Sequence, residues 1–135
     1  MNTTGLVTSL VLAAACLASG AASAQALDGK ALFARNCAAC HMANGRGIPG
    51  AFPALAANLF VQGPAPEVAT VLLKGRGGMP DFSGSLGDGD IALVLSYVRA
   101  SWGNQAAPLQ EAEVAALRET LQLPKAHGGV RGNKH

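Results

Sequence analysis

Cys37-Ala38-Ala39-Cys40-His41 sets two thiols three positions apart and follows the second at once with an imidazole. On a helix, residues three apart share a face, so both thiols project from one turn. They can add to the two vinyl groups along one edge of a porphyrin, and His41 then turns its ring toward the iron. C-x-x-C-H is the attachment signal for c-type haem. Other uses of these side chains account for less. A disulfide between Cys37 and Cys40 leaves His41 without a task. A thioredoxin-like dithiol belongs in a βαβ setting. A zinc site needs a fourth ligand, for which only tail histidines or carboxylates remain.

Upstream of the motif a helix is expected from Asp28 to about Cys40. Asp28 is a good N-cap, and Leu27 and Leu32 occupy the two positions of a hydrophobic staple. Downstream, Met42 to Gln62 is a Gly- and Pro-rich loop with room for a short helical turn from Leu55 to Phe60. Pro66 starts the next helix, where a missing N–H is harmless, and Gly75 ends it after Lys74. A second irregular stretch, Gly75 to Gly87, surrounds Met79-Pro80. Asp88 and Asp90 suit the first turn of a helix. Ile91, Val94, Leu95 and Val98 then form one apolar face, in a helix running to about Trp102. A last amphipathic helix covers about Gln110 to Gln122 and presents Val114, Leu117 and Leu121. No run alternates β-branched or aromatic residues at period two, so the expected fold is all-α.

The 135 residues are 50% apolar but only 4% aromatic, with 17 glycines. Much of the apolar share is Ala, and small side chains bury little area at roughly 25 cal/mol per Å². So thin a core implies that something else fills the interior, as a large flat cofactor would. The N-terminus reads as an export signal. Leu6 to Leu17 is apolar, and Ala22-Ser23-Ala24 is an A-x-A cleavage site. The run falls short of the about 20 residues that a membrane-spanning helix needs. Residues 1–24 are therefore expected to be removed, taking Cys16 with them and leaving Cys37 and Cys40. No Lys or Arg precedes the run, so an uncleaved anchor or a lipid on Cys16, either of which would be a membrane tether, stands as the alternative. The formal net charge of +2 falls wholly after the signal, and two haem propionates would bring it near zero. With no basic stripe to neutralise phosphates, nucleic acid is excluded as a partner.

Lys30-Ala31-Leu32-Phe33 before the Cys-His motif, then Phe52-Pro53-Ala54-Leu55-Ala56, Gly77-Gly78-Met79-Pro80 and Leu93-Val94-Leu95-Ser96-Tyr97-Val98-Arg99 together resemble a class I cytochrome c. The likeness runs from about Asp28 to Asn104. It is greatest to the small bacterial mono-haem branch, which includes cytochrome subunits of periplasmic dehydrogenases and haem domains of cbb3-type oxidases. Ala54 and Ala57 depart from that branch's FPPLAG-like loop, which would alter loop packing and not ligation. The resemblance implies helices and loops wrapped around one covalently bound haem c. The cytochrome domain would be residues 25–104, followed by an extra helix within 105–123 and a flexible tail at 124–135. It implies Met79 as the second axial iron ligand, opposite His41. Met42 is too close to His41 to reach that face, and His127 and His135 belong to the tail. The resemblance also implies that the Pro53 carbonyl accepts a hydrogen bond from His41 Nδ1–H, with Pro49 as the competing candidate, and that Leu55 packs on the haem. Gly29 and Phe33 would meet the last core helix at Val94 and Tyr97.

With His41 and Met79 both bound, the iron has no open position for oxygen or peroxide. The implied function is a periplasmic single-electron carrier and not an enzyme, either free or as the small subunit of a dehydrogenase or oxidase complex. Its implied partners are redox proteins: a periplasmic dehydrogenase, a terminal oxidase or other cytochromes. Arg46, Lys74 and Arg76 sit where they would steer an acidic partner, although ordinary solvated charge explains them equally well. The competing function is a haem enzyme or gas sensor in which Met79 is displaced or never bound.

Overall fold

The computed structural model describes residues 19–126, with side chains from Asp28 onward. Most of the expected export signal, Cys16, His127 and His135 lie outside the described residues. Five helices follow one another: α1 (Ser19–Asn36), α2 (Ala38–His41), α3 (Ala65–Lys74), α4 (Asp88–Arg99) and α5 (Glu111–Thr120). Among the described residues there is no strand, only two isolated antiparallel bridges, Ile48 with Phe52 and Arg76 with Met79. The fold is all-α, as the sequence predicts.

Three helix boundaries and one expected helical turn depart from the sequence expectation, each for a local reason. α1 begins at Ser19 and not at Asp28, because residues 21–26 are rich in Ala, the strongest helix former. It ends at Asn36 instead of running to Cys40. Cys37 leaves the helical basin at φ −126°, and one separate turn, α2, carries Cys40 and His41. The segment from Leu55 to Phe60 is a series of turns, not a helix. Ala57 takes φ +47°, and Asn58 Oδ1 accepts the N–H groups of Phe60 and Val61 at 2.8 and 3.2 Å, forming an Asx turn. α4 stops at Arg99 and not at Trp102, because Trp102 and Gly103 adopt φ of +52° and +86°.

That turn lays the Trp102 indole against Phe33, with ring centroids 4.9 Å apart, and edge-on to Tyr97 at 5.4 Å. Phe33 and Tyr97 also meet, at 5.8 Å. The three rings lock α1 against α4, each pair adding about 0.5–1.5 kcal/mol beyond burial. Gly29 lets the two helices approach. A Cβ there would collide with the Leu93 carbonyl oxygen and lie 2.8 Å from Tyr97 Cβ. Leu93, not Val94, is thus the partner of Gly29: residues four apart share the side of α4 that faces α1, while Val94 turns into the core, 1% exposed. α3, α4 and α5 complete that core around Val68, Leu73, Ile91 and Val114.

Candidate haem-binding site

The break between α1 and α2 leaves Cys37 half-buried against the core and Cys40 exposed, with no disulfide between them. Burial, reinforced by the neighbouring Cys40, pushes the Cys37 thiol up to about 11.

His41 is 8% exposed. Its Nδ1 lies 2.9 Å from the Pro53 carbonyl oxygen. A carbonyl only accepts, so Nδ1 carries the proton, and in the neutral ring Nε2 is the nitrogen with the lone pair. The accepting carbonyl belongs to Pro53 and not to Pro49, and the loop explains why. The Gly47 N–H donates to the His41 carbonyl at 2.9 Å, while Ile48 and Phe52 exchange both backbone bonds at 2.9 and 2.8 Å. This staple folds residues 48–52 into a tight outward loop with Pro49 on it, and returns Pro53 to the imidazole. The Leu55 N–H then donates to the Gly45 carbonyl at 2.7 Å. Gly45 itself takes φ +68°, and a Cβ there would run into the Trp102 ring.

Asn104 is the residue that the sequence reading missed on this side. It is 3% exposed. Its amide donates to the carbonyls of Leu55 at 2.8 Å and Val98 at 3.0 Å, and its oxygen accepts the Asn58 N–H at 3.0 Å. In the sequence Asn104 only follows the expected end of the helix near Trp102. Its partner Leu55 is 49 positions away, and nothing in the intervening residues signals that pairing. Leu55 is half-buried and packs on the core, whereas Pro53 is exposed.

Met79 occupies the loop between α3 and α4, half-buried against the same core as Cys37 and Leu55. Its backbone exchanges bonds with Arg76 at 3.1 and 3.2 Å. The Arg76 guanidinium stacks on the Phe60 ring, 4.4 Å from its centroid, a contact worth about 0.5–1 kcal/mol at a surface. Below the loop, the Phe82 N–H donates to the Leu72 carbonyl at 2.7 Å. Arg46, Lys74 and Arg76 are all exposed.

The donor set suits haem: two thiols three residues apart, an imidazole whose Nε2 makes no hydrogen bond, and a soft thioether on a separate loop. Ile48 and Phe52, 42% and 40% exposed, flank Pro53. A cleft of about 320 Å³ lies on the outer side of this loop, but it is lined by Arg46 and residues 49–54 alone. It includes Pro53 but neither cysteine nor Met79.

Sequence comparison agrees with this chemistry. The family described as "Cytochrome C oxidase, cbb3-type, subunit III" matches residues 24–98. Cytochrome c-552 of Thermus thermophilus is 36% identical over 134 aligned positions, covering 84% of this chain and 89% of that protein. Cytochrome c6 of Microcystis aeruginosa is 37% identical over 54% of this chain and 93% of its own length. The cytochrome c subunit of a quinone alcohol dehydrogenase from Gluconacetobacter polyoxogenes is 34% identical over 77% of this chain, but the match spans only 25% of that longer protein. The chain belongs to the class I c-type cytochromes. Such proteins transfer electrons through covalently bound haem c, and the sequence holds a single C-x-x-C-H motif for one.

Proposed function

We propose that this protein is a periplasmic single-electron carrier whose haem iron is held by His41 Nε2 and the Met79 thioether, with Cys37 and Cys40 forming the covalent links. The observation that carries this reading is the bond from His41 Nδ1–H to the Pro53 carbonyl. It fixes the tautomer, orients the ring and raises its basicity, as the partner of a metal-bound imidazole does. The haem supplies a one-electron couple, and thioether ligation favours its ferrous state. The chain's own residues would do the rest: His41 and Met79 would hold the iron between them and leave oxygen and peroxide no place on it.

Export by residues 1–24 belongs to the same reading, because haem attachment to a C-x-x-C-H motif and an A-x-A signal suit one compartment. Redox partners of acidic surface would meet Arg46, Lys74 and Arg76 in brief contacts of under about 1,200 Å². The reading covers both a free carrier and the small subunit of a dehydrogenase or oxidase complex. Size-exclusion of protein from its native source separates these two. The ferric spectrum tests the ligand set. Six-coordinate low-spin iron with a methionine–iron charge-transfer band is expected; a five-coordinate high-spin spectrum would overturn it in favour of a haem enzyme or gas sensor.

A further inference from the structure

The strongest polar cluster outside the site lies on α5, beyond the residues that match the family. Arg118 is 2% exposed. Its Nε donates to Asp88 Oδ1 at 2.6 Å. Nη1 donates to the carbonyls of Ser83 and Pro124, both at 2.8 Å, and Nη2 to that of Leu86 at 3.2 Å. Three of these four partners belong to the stretch that leads from Met79 into α4. The same stretch is knit internally: Ser83 Oγ donates to Asp81 Oδ1 at 2.9 Å, and the Leu86 N–H to the Phe82 carbonyl at 2.9 Å.

We propose that Arg118 is a positioning residue for Met79, clamping the exit of the Met79 loop from the opposite side of the core and thereby holding the sixth iron position closed. A helix that merely covers apolar surface has no need of a buried cation. Desolvating a guanidinium is expensive, and an apolar side chain of similar volume commonly serves stability as well or better. What the guanidinium adds is geometry, since its planar fork of donors fixes several oxygens relative to one another. Two of those oxygens, the carbonyls of Ser83 and Leu86, are the loop's own backbone. Met79 needs such support because a thioether is only a weak hydrogen-bond acceptor and cannot anchor its own loop. The inference rests on Met79 being the sixth ligand.

The test uses the ferric holoprotein with imidazole as an added ligand that competes for the sixth position. Arg118→Lys keeps the charge near Asp88, but a single ammonium cannot span the carbonyls of Ser83, Leu86 and Pro124 together. Val114→Ala, in the same helix, removes buried apolar volume while leaving every loop contact in place, and so serves as a reference of lowered stability. Imidazole affinity is expected to rise at least about tenfold in Arg118→Lys over wild type, the scale of one lost charge-assisted hydrogen bond. The methionine–iron band should weaken in parallel. Val114→Ala should lower Tm with imidazole affinity near wild type. Equal imidazole affinity in the two variants would reduce Arg118 to a structural residue and overturn the proposal. Met79→Ala separates the two levels. If it leaves the wild-type band and imidazole affinity unchanged, Met79 is not the ligand and both readings fall; if it abolishes the band while Arg118→Lys does nothing, only the clamp falls.

Discussion

The two loops that flank the site are held in opposite ways. On the histidine side, the proposed ligand is itself part of the hydrogen-bond network. His41 donates to Pro53, its own carbonyl accepts from Gly47, and Asn104 secures the chain at Leu55. On the methionine side, Met79 contributes only its backbone, through the bridge to Arg76. The rest of that loop is fastened from outside, by Leu72, by the Phe60 ring and by Arg118. The difference follows from the chemistry of the side chains. An imidazole has a second polar atom with which to anchor itself, and a thioether has none. One side is therefore fixed by the ligand, and the other must be fixed around it. The histidine side should tolerate loss of an outer contact without releasing the iron, whereas the methionine side should be the first to open.

The sharpest way to break this comparison is to remove the attachment that both loops serve. Cys37→Ala combined with Cys40→Ala is expected to abolish covalent haem altogether, read on a haem-stained gel and by intact mass of the secreted protein. A stable, folded, haem-free double variant would contradict the central assignment. Next in size is Met79→Ala. Covalent haem should persist while the reduction potential falls by an appreciable part of the roughly 0.8 V that axial ligation spans among haem proteins. An unchanged potential in a voltammetric measurement would move the sixth ligand elsewhere.

Asn104→Ala probes the histidine side at its outer edge. It leaves the Leu55 carbonyl and the Asn58 N–H without their partner, while the Val98 carbonyl keeps the Ser101 N–H, at about 2–3 kcal/mol in total. That corresponds to a fall of roughly 10–20 °C in Tm for a domain of this size. The potential should move far less than in Met79→Ala, because the His41–Pro53 bond is untouched. A large potential shift with little change in Tm would show that Asn104 governs the ligand and not the loop. The smallest effect is expected at the surface. Replacing Arg46 and Lys74 together by Gln should slow association with an acidic redox partner several-fold at low salt and little at high salt, the signature of steering by charge. Stopped-flow rates at two ionic strengths provide the check.

Several elements were legible in the chain because their causes are local. The Cys37-Ala38-Ala39-Cys40-His41 spacing is confined to little more than a helical turn, so the attachment chemistry can be read without a fold. α3 could be placed from Pro66 and Gly75, and the start of α4 from Asp88 and Asp90, because end signals act within a few residues. The approach of α1 and α4 at Gly29, and the contact of Phe33 with Tyr97, followed from resemblance, though the register on α4 did not. Cys37 as a helix break, Asn58 as an Asx turn and the early end of α4 escaped notice because each depends on a few backbone angles that composition hardly constrains.

What the sequence by itself determined is the class of chemistry: a covalently held haem in an all-helical domain. The tertiary structure alone decided which polar residues keep the loops in place. Asn104 reaches Leu55 across 49 positions, Arg99 reaches the Val61 carbonyl across 38, and Arg118 reaches Ser83 across 35. Their targets are backbone carbonyls, and every residue has one. No side-chain pattern marks the carbonyl that will be buried and need a donor, because that need arises only once the chain has folded around it.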